Sequence, residues 1–539
     1  METNEKCGRM KKTVMYWQGV TGLEWRKKML RKILKLLTSR LLFFGILLLI
    51  QLVWLLTFLT RLTTYSTAIS VFFTVVSLLA VLWIINRGEN PAYQMAWVIF
   101  ILVFPLLGGL FYLLVGNKRP SKKMRRKMEV EQRRTKEALR QDPGILKEAE
   151  ETDARVKGQF AYLADTCGFP VYGNTKTRYY KLGDELFPEL LKELKAAEHF
   201  IFMEYFIVEE GRMWNSILEV LEEKAEAGLD VRFIYDDLGS VSLLPPGYAR
   251  QLEAKGIRCM AFNPFVPLWS LVMNNRDHRK ITVIDGHTAF SGGVNLADEY
   301  INEKLRFGHW KDTGFMLKGE AVWNYTVMFL QMWNAFRKTD VSYEAFRPSC
   351  YHPEPFVSDG FVQPYGDTPL DDEIAAENVY LNILNQARDY VYIFTPYLII
   401  DHEMETALCL AAKRGVDVRI VTPGIPDKKV IFQLTRSYYP NLLQAGVRIY
   451  EYTPGFLHAK SYVCDDEMAV VGTINMDFRS LYLHFECGTL FYRSSLVAEV
   501  KRDALETMEK SREIQPKDIR QGLRGSLFCA ILRVLAPLL

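Results

Sequence analysis

The sequence predicts an α/β protein with two similar sheet-and-helix halves, preceded by transmembrane helices. Three observations lead to this prediction. A short motif with His, Lys and Asp occurs twice at identical spacing, at residues 278–285 and 458–465. The segments before the two copies alternate strand-like and helix-like runs in the same order. Three long uncharged apolar runs lie between residues 41 and 115.

The apolar runs cover residues 41–60, 66–85 and 95–115, and each is long enough to cross the hydrocarbon core of a bilayer. Their length and number argue against a cleaved signal peptide. Residues 1–40 form a basic N-terminal segment, and residues 117–153 form a basic linker helix beside the membrane. Because basic clusters prefer the cytoplasm, we expect the second and third runs to form a hairpin that leaves the globular unit cytoplasmic. The first run is then re-entrant or crosses with an external N-terminus.

The globular part repeats, with the first half expected at residues 154–345 and the second at 346–515. The corresponding pairs of segments are 197–202 with 387–392, 228–232 with 415–419, and 256–258 with 446–448. Both halves therefore follow the order strand, helix, strand, helix, strand, motif, which places each sheet between helices. A duplicated unit can bring both motifs together about a pseudo-twofold axis. Residues 516–539 should form a C-terminal helix that either closes the domain or lies at the membrane interface.

Each motif lies on a predicted strand, residues 280–284 or 460–464, that ends at an acidic turn. Residues two apart on a strand share a face, so each His should point the same way as its Lys. The Asp falls on the other parity at the strand end, where we expect a structural or supporting role. Two complete copies supply two imidazoles and two fixed cations, which suits chemistry at a phosphodiester. The candidate catalytic residues are His278, Lys280, Asp285, His458, Lys460 and Asp465.

Small residues and an asparagine follow each motif, Asn295 in the first half and Asn475 in the second. Small residues let backbone amides approach an anion, and an Asn side chain can donate to a phosphate oxygen. We therefore expect both asparagines to bind phosphate.

The composition limits the other possibilities. A chain of 539 residues with 49% hydrophobic residues and a net charge of +4 is long enough for two globular units plus extra segments. Its eight cysteines include no C-x-x-C pair, so they are expected to be buried free thiols in a reducing compartment. No metal or other cofactor is expected, because the histidines outside the motifs form no ligand cluster. His484, which is close to Glu486 in the sequence, is expected to be a satisfied structural histidine.

The paired motifs and their surroundings resemble the phospholipase D superfamily, and the wider match is similar to bacterial cardiolipin synthases. It runs from about Tyr172 to the C-terminus. The matching segments are Glu204-Tyr205, residues 274–280, residues 310–313, residues 475–480 with Glu486, and the N-terminal residues 86–91. The resemblance implies a duplicated phospholipase D fold in a multi-pass protein of the bacterial cell membrane. It also implies a phosphatidylglycerol substrate and an anionic membrane as partner.

The resemblance further implies that two phosphatidylglycerol molecules are converted into cardiolipin and glycerol. One His attacks phosphorus to form a phosphohistidine, and the other protonates the departing alkoxide. The lysines and asparagines stabilise charge on the phosphate oxygens. Asp312 and Glu486 occupy the positions that orient the histidines, and we expect each to serve the His of its own half. The N-terminal copy usually attacks in this superfamily, so His278 is the expected nucleophile and His458 the acid and base.

Other activities share these residues. A phospholipase D that hydrolyses phospholipids to phosphatidic acid would use the same motifs, and only the closer resemblance favours transfer. A nuclease of the superfamily would also share them, but the apolar runs favour a lipid substrate over nucleic acid. A noncatalytic lipid-binding scaffold would be expected to have lost part of one motif. The basic stretch at residues 118–140 should concentrate anionic lipid near the site, unless it is a plain solvated linker. The sequence leaves open the oligomeric state, the acyl preference and whether phosphatidylethanolamine also serves as donor.

Overall fold

The computed structural model describes residues 65–88, 90–104, 122–264, 275–371, 373–519 and 523–538, with the further positions 49, 53, 108, 109, 112 and 116. The chain divides into two compact units. The larger contains residues 90–96, 117–265 and 272–539, and therefore both motifs. The smaller contains residues 1–89, 97–116 and 266–271. The predicted basic segment 1–40, nearly all of the run 41–60, and Asn274 lie outside the described residues.

The α-helices are α1 Tyr65–Ile85, α2 Pro91–Val103, α3 Lys122–Ala138, α4 Pro143–Thr152, α5 Ala154–Ala161, α6 Gly183–Ala196, α7 Arg212–Glu226, α8 Asp237–Ser240, α9 Tyr248–Ala254, α10 Val322–Phe336, α11 Pro348–Tyr351, α12 Ala375–Gln386, α13 His402–Lys413, α14 Lys429–Ala445, α15 Phe478–Tyr482, α16 Ser495–Glu509 and α17 Leu523–Leu535. Helix α1 covers the second apolar run and α2 the beginning of the third. Within the described residues, no helix is both long enough and apolar enough to cross a membrane. The predicted transmembrane helices are therefore not confirmed.

The linker predicted as one helix over residues 117–153 is two helices. Helix α4 begins at Pro143, where Asp142 caps it by accepting a hydrogen bond from the backbone N–H of Gly144 at 2.7 Å. Met128 of α3 is buried in the same apolar cluster as residues of α10. Part of this segment is thus fixed to the globular unit.

The first half contains strands β1 Thr175–Tyr180, β2 Phe200–Tyr205, β3 Asp230–Asp236, β4 Arg258–Phe262, β5 Ile281–Ile284, β6 Thr288–Gly292, β7 His309–Lys311 and β8 Gly314–Gly319. Seven of them form one sheet in the order β1-β8-β6-β5-β2-β3-β4. The strands β2, β3 and β4 are parallel, since α7 and α9 return the chain between them.

The second half contains strands β9 Phe361–Asp367, β10 Tyr390–Phe394, β11 Leu398–Ile399, β12 Asp417–Pro423, β13 Arg448–Tyr452, β14 Gly455–Leu457, β15 Ser461–Cys464, β16 Met468–Gly472, β17 Met476–Asp477, β18 Glu486–Tyr492 and β19 Ser511–Glu513. Its main sheet has the order β9-β18-β16-β15-β10-β12-β13-β19. This order repeats the first sheet strand for strand and adds β19 at one edge. The predicted duplication is confirmed, and the motif strands β5 and β15 occupy equivalent positions.

The two halves share one apolar core. The cluster includes Phe202 and Val283 from the first sheet and Val463 and Val471 from the second. Helix α10 belongs to it, and 13 of its 15 residues are buried. Two outer cores lie beneath α6, α7 and α9 in the first half and beneath α12, α13 and α14 in the second.

Residues 154–171, assigned from the sequence to the first half, pack on the second. Phe160 lies with Leu163 in the outer core of the second half. Its ring centroid is 5.9 Å from those of Phe361 and Tyr492. The chain runs beside β9 here, as the bridge between residues 172 and 362 shows, before it enters the first sheet at β1.

Candidate active site

The Asp of each motif anchors the beginning of a neighbouring strand. The carboxylate of Asp285 accepts hydrogen bonds from the backbone N–H groups of residues 198–200 at 2.8 Å. Asp465 does the same for residues 388–390 at 2.8 to 2.9 Å. Both residues lie in tight turns with φ of 48° and 51°. Their geometry is structural, which corrects their place among the candidate catalytic residues and agrees with the role expected from strand parity.

One cavity of about 590 Å³ in the larger unit is lined by both motif histidines. The cavity wall also contains Asn295 and Asn475, together with the aromatic residues Tyr300, Phe307, Trp310 and Phe456 and the polar residues Asp477, Arg479, Ser480 and His484. The two motifs, 180 residues apart from His278 to His458, therefore converge on a single space.

Each motif histidine is oriented by a carboxylate of the opposite half. Nδ1 of His278 lies 2.9 Å from both carboxylate oxygens of Glu486. Nδ1 of His458 lies 2.6 Å from Oδ2 of Asp312. The prediction that each acid serves its own half is therefore wrong. Because the carboxylates engage Nδ1, the nitrogen left to act on a substrate is Nε2 of each ring.

Backbone pairing between the halves causes this crossing. Strand β7 pairs in parallel with β14, and Lys311 stands opposite Leu457, so the next residues are Asp312 and His458. On the other side, Asp277 pairs with Phe485, whose carbonyl accepts a hydrogen bond from the backbone N–H of the following His278. In both places a motif histidine and its carboxylate directly follow a pair of residues bridged between the halves, in the β7–β14 ladder on one side and at an isolated bridge on the other.

The pKa shifts place a neutral imidazole beside an ionised carboxylate in both pairs. Burial lowers the pKa of His278 to about 3 and that of His458 to about 4. Burial alone would raise the pKa of Glu486, but the adjacent His278 ring brings it well below its ordinary value. The pKa of Asp312 is likewise lowered, because His458 and Lys460 outweigh its burial. A neutral imidazole that donates from Nδ1 has its lone pair at Nε2, as a nucleophile or base requires.

The two motif lysines are buried, and neither is among the described side chains that line the cavity. Nζ of Lys280 donates to the carbonyl oxygen of His278 at 2.6 Å. Nζ of Lys460 donates in the same way to the carbonyl oxygen of His458. Burial lowers the pKa of Lys280 to about 8 and that of Lys460 to about 7. The charges of both lysines therefore act on the cavity through the protein interior, where the dielectric constant is low and electrostatic interactions are strong.

The small residues and asparagines that follow the motifs do more than the phosphate binding expected of them. Asn295 accepts a hydrogen bond from a backbone N–H and donates to the hydroxyl of Tyr300 at 2.8 Å, so it also positions the cavity wall. Oδ1 of Asn475 has no hydrogen-bond partner among the described residues. A Cβ at Gly293 would lie 2.0 Å from Oδ1 of Asp312. Any larger residue at position 293 would therefore collide with the Asp312 carboxylate, which is a sufficient reason for glycine there without an approaching anion.

The expectation for His484 is also wrong. The side chain lines the cavity at 10% exposure, and neither ring nitrogen has a hydrogen-bond partner in the described part of the chain. Its ring centroid lies 5.7 Å from that of His278. Nδ1 of His484 is 3.7 Å from Oε1 of Glu486. Contrary to expectation, a histidine outside the motifs thus belongs to a cluster of possible metal ligands, with His278 and Glu486. Aligning residues 484–486 with residues 310–312 would have drawn attention to it, because each triplet ends at an orienting carboxylate.

The expectation of buried free thiols is met in part. The seven cysteines in the described residues are all free, and four of them are buried.

Two homologous sheets that bring two histidine–carboxylate pairs to one cavity define an enzyme of the phospholipase D superfamily. Comparison with known families agrees. The family model described as cardiolipin synthase, PLD-like domain, matches residues 190–333 and 380–508. The model described as phospholipase D-nuclease N-terminal matches residues 75–117. The chain belongs to the cardiolipin synthase family.

Relatives match over most of their length. An uncharacterized protein of Streptococcus mutans is 47% identical over 85% of this chain and 99% of the relative. The cardiolipin synthase of Alkalihalophilus pseudofirmus is 35% identical over 79% of this chain and 85% of its own. Cardiolipin synthase 2 of Bacillus cereus is 35% identical over 85% of this chain and 89% of its own. The crystal structure of phosphatidylserine synthase from Haemophilus influenzae shares the fold, with a TM-score of 0.50 and 14% identity over 71% of this chain and 97% of that one.

Proposed function

We propose that the protein is a membrane-bound phosphatidyltransferase that converts two phosphatidylglycerol molecules into cardiolipin and glycerol. The observation that carries this proposal is the single cavity lined by two neutral imidazoles, each held by a buried carboxylate. Such an arrangement can divide a displacement at phosphorus into two steps through a phosphohistidine. The names of the cardiolipin synthase relatives support the choice of lipid.

In the first step, Nε2 of His278 attacks the phosphorus of one phosphatidylglycerol. A P–N bond forms, the P–O bond to the headgroup glycerol breaks, and His458 gives its proton to the departing alkoxide. The bound phosphodiester anion, together with Asp312, stabilises the protonated form of His458 that this step requires. Glycerol then leaves the cavity.

In the second step, His458 takes the proton from the headgroup hydroxyl of another phosphatidylglycerol. The hydroxyl oxygen attacks phosphorus, the P–N bond breaks, and His278 returns to its neutral form. Lys280 and Lys460 stabilise negative charge on the phosphate oxygens, with Asn475 and the remaining N–H of Asn295 as donors. One phosphodiester replaces another, so no activated donor is needed.

The experiment that tests this function uses the purified full-length protein in bilayers that contain phosphatidylglycerol. Cardiolipin, phosphatidic acid and free glycerol are quantified together. The proposal expects one glycerol for each cardiolipin and little phosphatidic acid. Phosphatidic acid as the main product would make the protein a hydrolytic phospholipase D with the same catalytic residues.

The assignment of the nucleophile has its own test. Labelled phosphatidylglycerol is mixed with the enzyme, the reaction is quenched, and the adduct is mapped by mass spectrometry. We expect the label on His278 in the wild type and none in His278→Ala. His458→Ala should keep slow turnover or accumulate the adduct, because acid–base help contributes about 10²- to 10⁴-fold. A label on His458 in the wild type would exchange the two roles.

Three surface features support binding to a membrane. Helix α1 exposes large apolar side chains such as Phe72 and Leu79, each 61% exposed. Helix α17 buries Cys529 and Leu532 against the second half and exposes Leu527, at 65%, with Phe528 and Ile531 on another face. Ala536, just after α17, lines the cavity. The basic helix α3 adds cations that attract anionic lipid with about 1 kcal/mol each at a bilayer surface.

Binding of vesicles containing phosphatidylglycerol tests these contributions. Replacing Leu527, Phe528 and Ile531 by Ser should weaken vesicle binding while leaving activity on a short-chain soluble phosphatidylglycerol. Replacing Val341 and Val357, which are 90% and 79% exposed, gives a matched control. Neutralising Lys122, Lys123, Arg125, Arg126 and Lys127 together should reduce the salt dependence of binding. Unchanged binding and salt dependence would leave α17 a plain closing helix and α3 a plain linker.

A further inference from the structure

A third imidazole, that of His484, lies beside the His278–Glu486 pair and has no role in the proposed transfer steps. His484 is nine-tenths buried, it lines the cavity, and both its ring nitrogens lack a hydrogen-bond partner within the described residues. An unpaired buried polar group costs free energy comparable to a lost hydrogen bond, so such a group usually receives a ligand or a water. The proposed transfer steps use only His278 and His458.

We propose that His484, His278 and Glu486 form a binding site for one divalent transition-metal ion of the Zn²⁺ class, and that the bound ion inhibits the enzyme. One ligand atom from each of the three residues lies within 4.8 Å of the other two. Nδ1 of His278 and Nδ1 of His484 lie 2.9 and 3.7 Å from Oε1 of Glu486. Small side-chain rotations that open the His278–Glu486 hydrogen bond would admit an ion between them.

The chemistry of the donor set selects the ion. Two imidazoles and one carboxylate are ligands that Zn²⁺ and its neighbours in the transition series accept, with an open position for water. Mg²⁺ and Ca²⁺ prefer oxygen ligands and gain little from imidazole.

Among the described residues, the His458–Asp312 pair has no histidine equivalent to His484 beside it. Trp310 occupies the position two residues before Asp312 that His484 occupies before Glu486. Its ring packs against His458, with centroids 5.6 Å apart. The His458–Asp312 pair therefore offers only two ligands. The asymmetry predicts one ion for each chain, bound on the His278 side.

Two consequences follow from the position of the site. An ion bound there takes Glu486 away from His278 and engages the ring that attacks phosphorus, so turnover should stop. The nearby Lys280 ammonium repels a cation, which makes the ion removable by a chelator. The binding rests on the geometry alone, whereas the inhibition rests on the proposed function.

Co²⁺ titration of the full-length protein in detergent, without lipid, tests the binding. Wild-type protein should develop the visible absorption bands of a low-coordinate Co²⁺ site, with one equivalent bound and displaced by Zn²⁺. His484→Asn should weaken binding by at least about 10- to 100-fold. His402→Asn, which changes an exposed histidine on α13, should bind like the wild type. Absence of the bands in the wild type, or equal affinity in His484→Asn, would overturn the proposal.

Two further measurements keep the test independent of folding and of function. Zn²⁺ should protect His484 and His278 of the wild-type protein from diethyl pyrocarbonate, as mapped by mass spectrometry; equal modification with and without Zn²⁺ contradicts the site. Zn²⁺ should also suppress cardiolipin formation by the wild type, and a chelator should restore it. Suppression of His484→Asn should require a higher Zn²⁺ concentration, with the activity of each protein measured relative to its own metal-free rate. Co²⁺ binding without inhibition would retain the site and overturn the proposed inhibition, whereas mapping of the adduct tests the catalytic role of His278 separately.

Discussion

Replacing Glu486 by Gln and Asp312 by Asn, in separate variants, should change the formation and the lifetime of the covalent adduct in different ways. Glu486 receives a charge-assisted hydrogen bond from Nδ1 of His278, with both oxygens at 2.9 Å. Such bonds contribute about 1.5 to 3 kcal/mol. At about 1.4 kcal/mol for each tenfold change, losing that contribution should slow the step that His278 carries by about 10- to 150-fold. Gln keeps the volume of the side chain, so the cavity should keep its shape.

The assay follows the covalent adduct after mixing with labelled phosphatidylglycerol. Glu486→Gln should form the His278 adduct slowly, so little of it is present at any time. Asp312→Asn should slow both the formation and the breakdown of the adduct, because His458 donates a proton in the first step and accepts one in the second. The adduct should therefore persist longer in Asp312→Asn than in Glu486→Gln, in which its formation alone is slowed. Circular dichroism of both variants controls for loss of fold.

One result refutes the crossed arrangement. If the label is on His278 and the adduct is lost in Asp312→Asn but not in Glu486→Gln, each carboxylate serves its own half in the working enzyme. If the label is on His458, the crossed arrangement still predicts the outcome, because Asp312→Asn must then be the variant that loses the adduct. The test therefore examines the pairing separately from the identity of the nucleophile.

Three other predictions are direct. The kcat/KM of the enzyme should fall as pH rises through about 7 to 8. Burial lowers the pKa of Lys460 to about 7 and that of Lys280 to about 8, so both lysines lose their charge in that range. A kcat/KM that stays constant up to the ordinary pKa of lysine contradicts this. Cardiolipin formation should survive chelator and the absence of nucleotide, since one phosphodiester is exchanged for another, and turnover that only a divalent ion restores would show the metal-free mechanism to be wrong. Asp285→Ala should lower the free energy of unfolding by about 1 to 3 kcal/mol, because it leaves the backbone N–H groups of residues 198–200 without their acceptor, and an unchanged denaturant midpoint would show that another group replaces the carboxylate.

The sequence predicts the halves well because their signals are local. Strand residues alternate or run apolar over a few positions, and the same order of runs occurs twice. Strands β5 and β15 begin one residue after the predicted bounds of 280–284 and 460–464 and end where predicted. The structural role of Asp285 and Asp465 also follows from parity along a strand. Each of these inferences needs only a short window of the chain.

The pairing of acids with histidines cannot be derived in this way. His278 and Glu486 are 208 residues apart, and His458 and Asp312 are 146 apart. Each contact depends on which backbone segments of the two halves pair with each other. Proximity in the sequence gives the wrong partner, because Asp312 is nearer to His278 along the chain and Glu486 is nearer to His458. The unpaired ring nitrogens of His484 could not be predicted for a related reason, since a lone histidine beside a strand is more often structural.

The crossed pairs explain why the enzyme needs both halves in one fold. A single half would contain a motif histidine whose orienting carboxylate belongs to the other half. It would also expose the apolar core that the two sheets share. The ladder between β7 and β14 leaves no room for a side chain at its closest point, because a Cβ on Gly455 would lie 2.2 Å from the carbonyl oxygen of His309. Close approach of these two backbones sets the position of Asp312 against His458, so the packing that joins the halves also completes the active site.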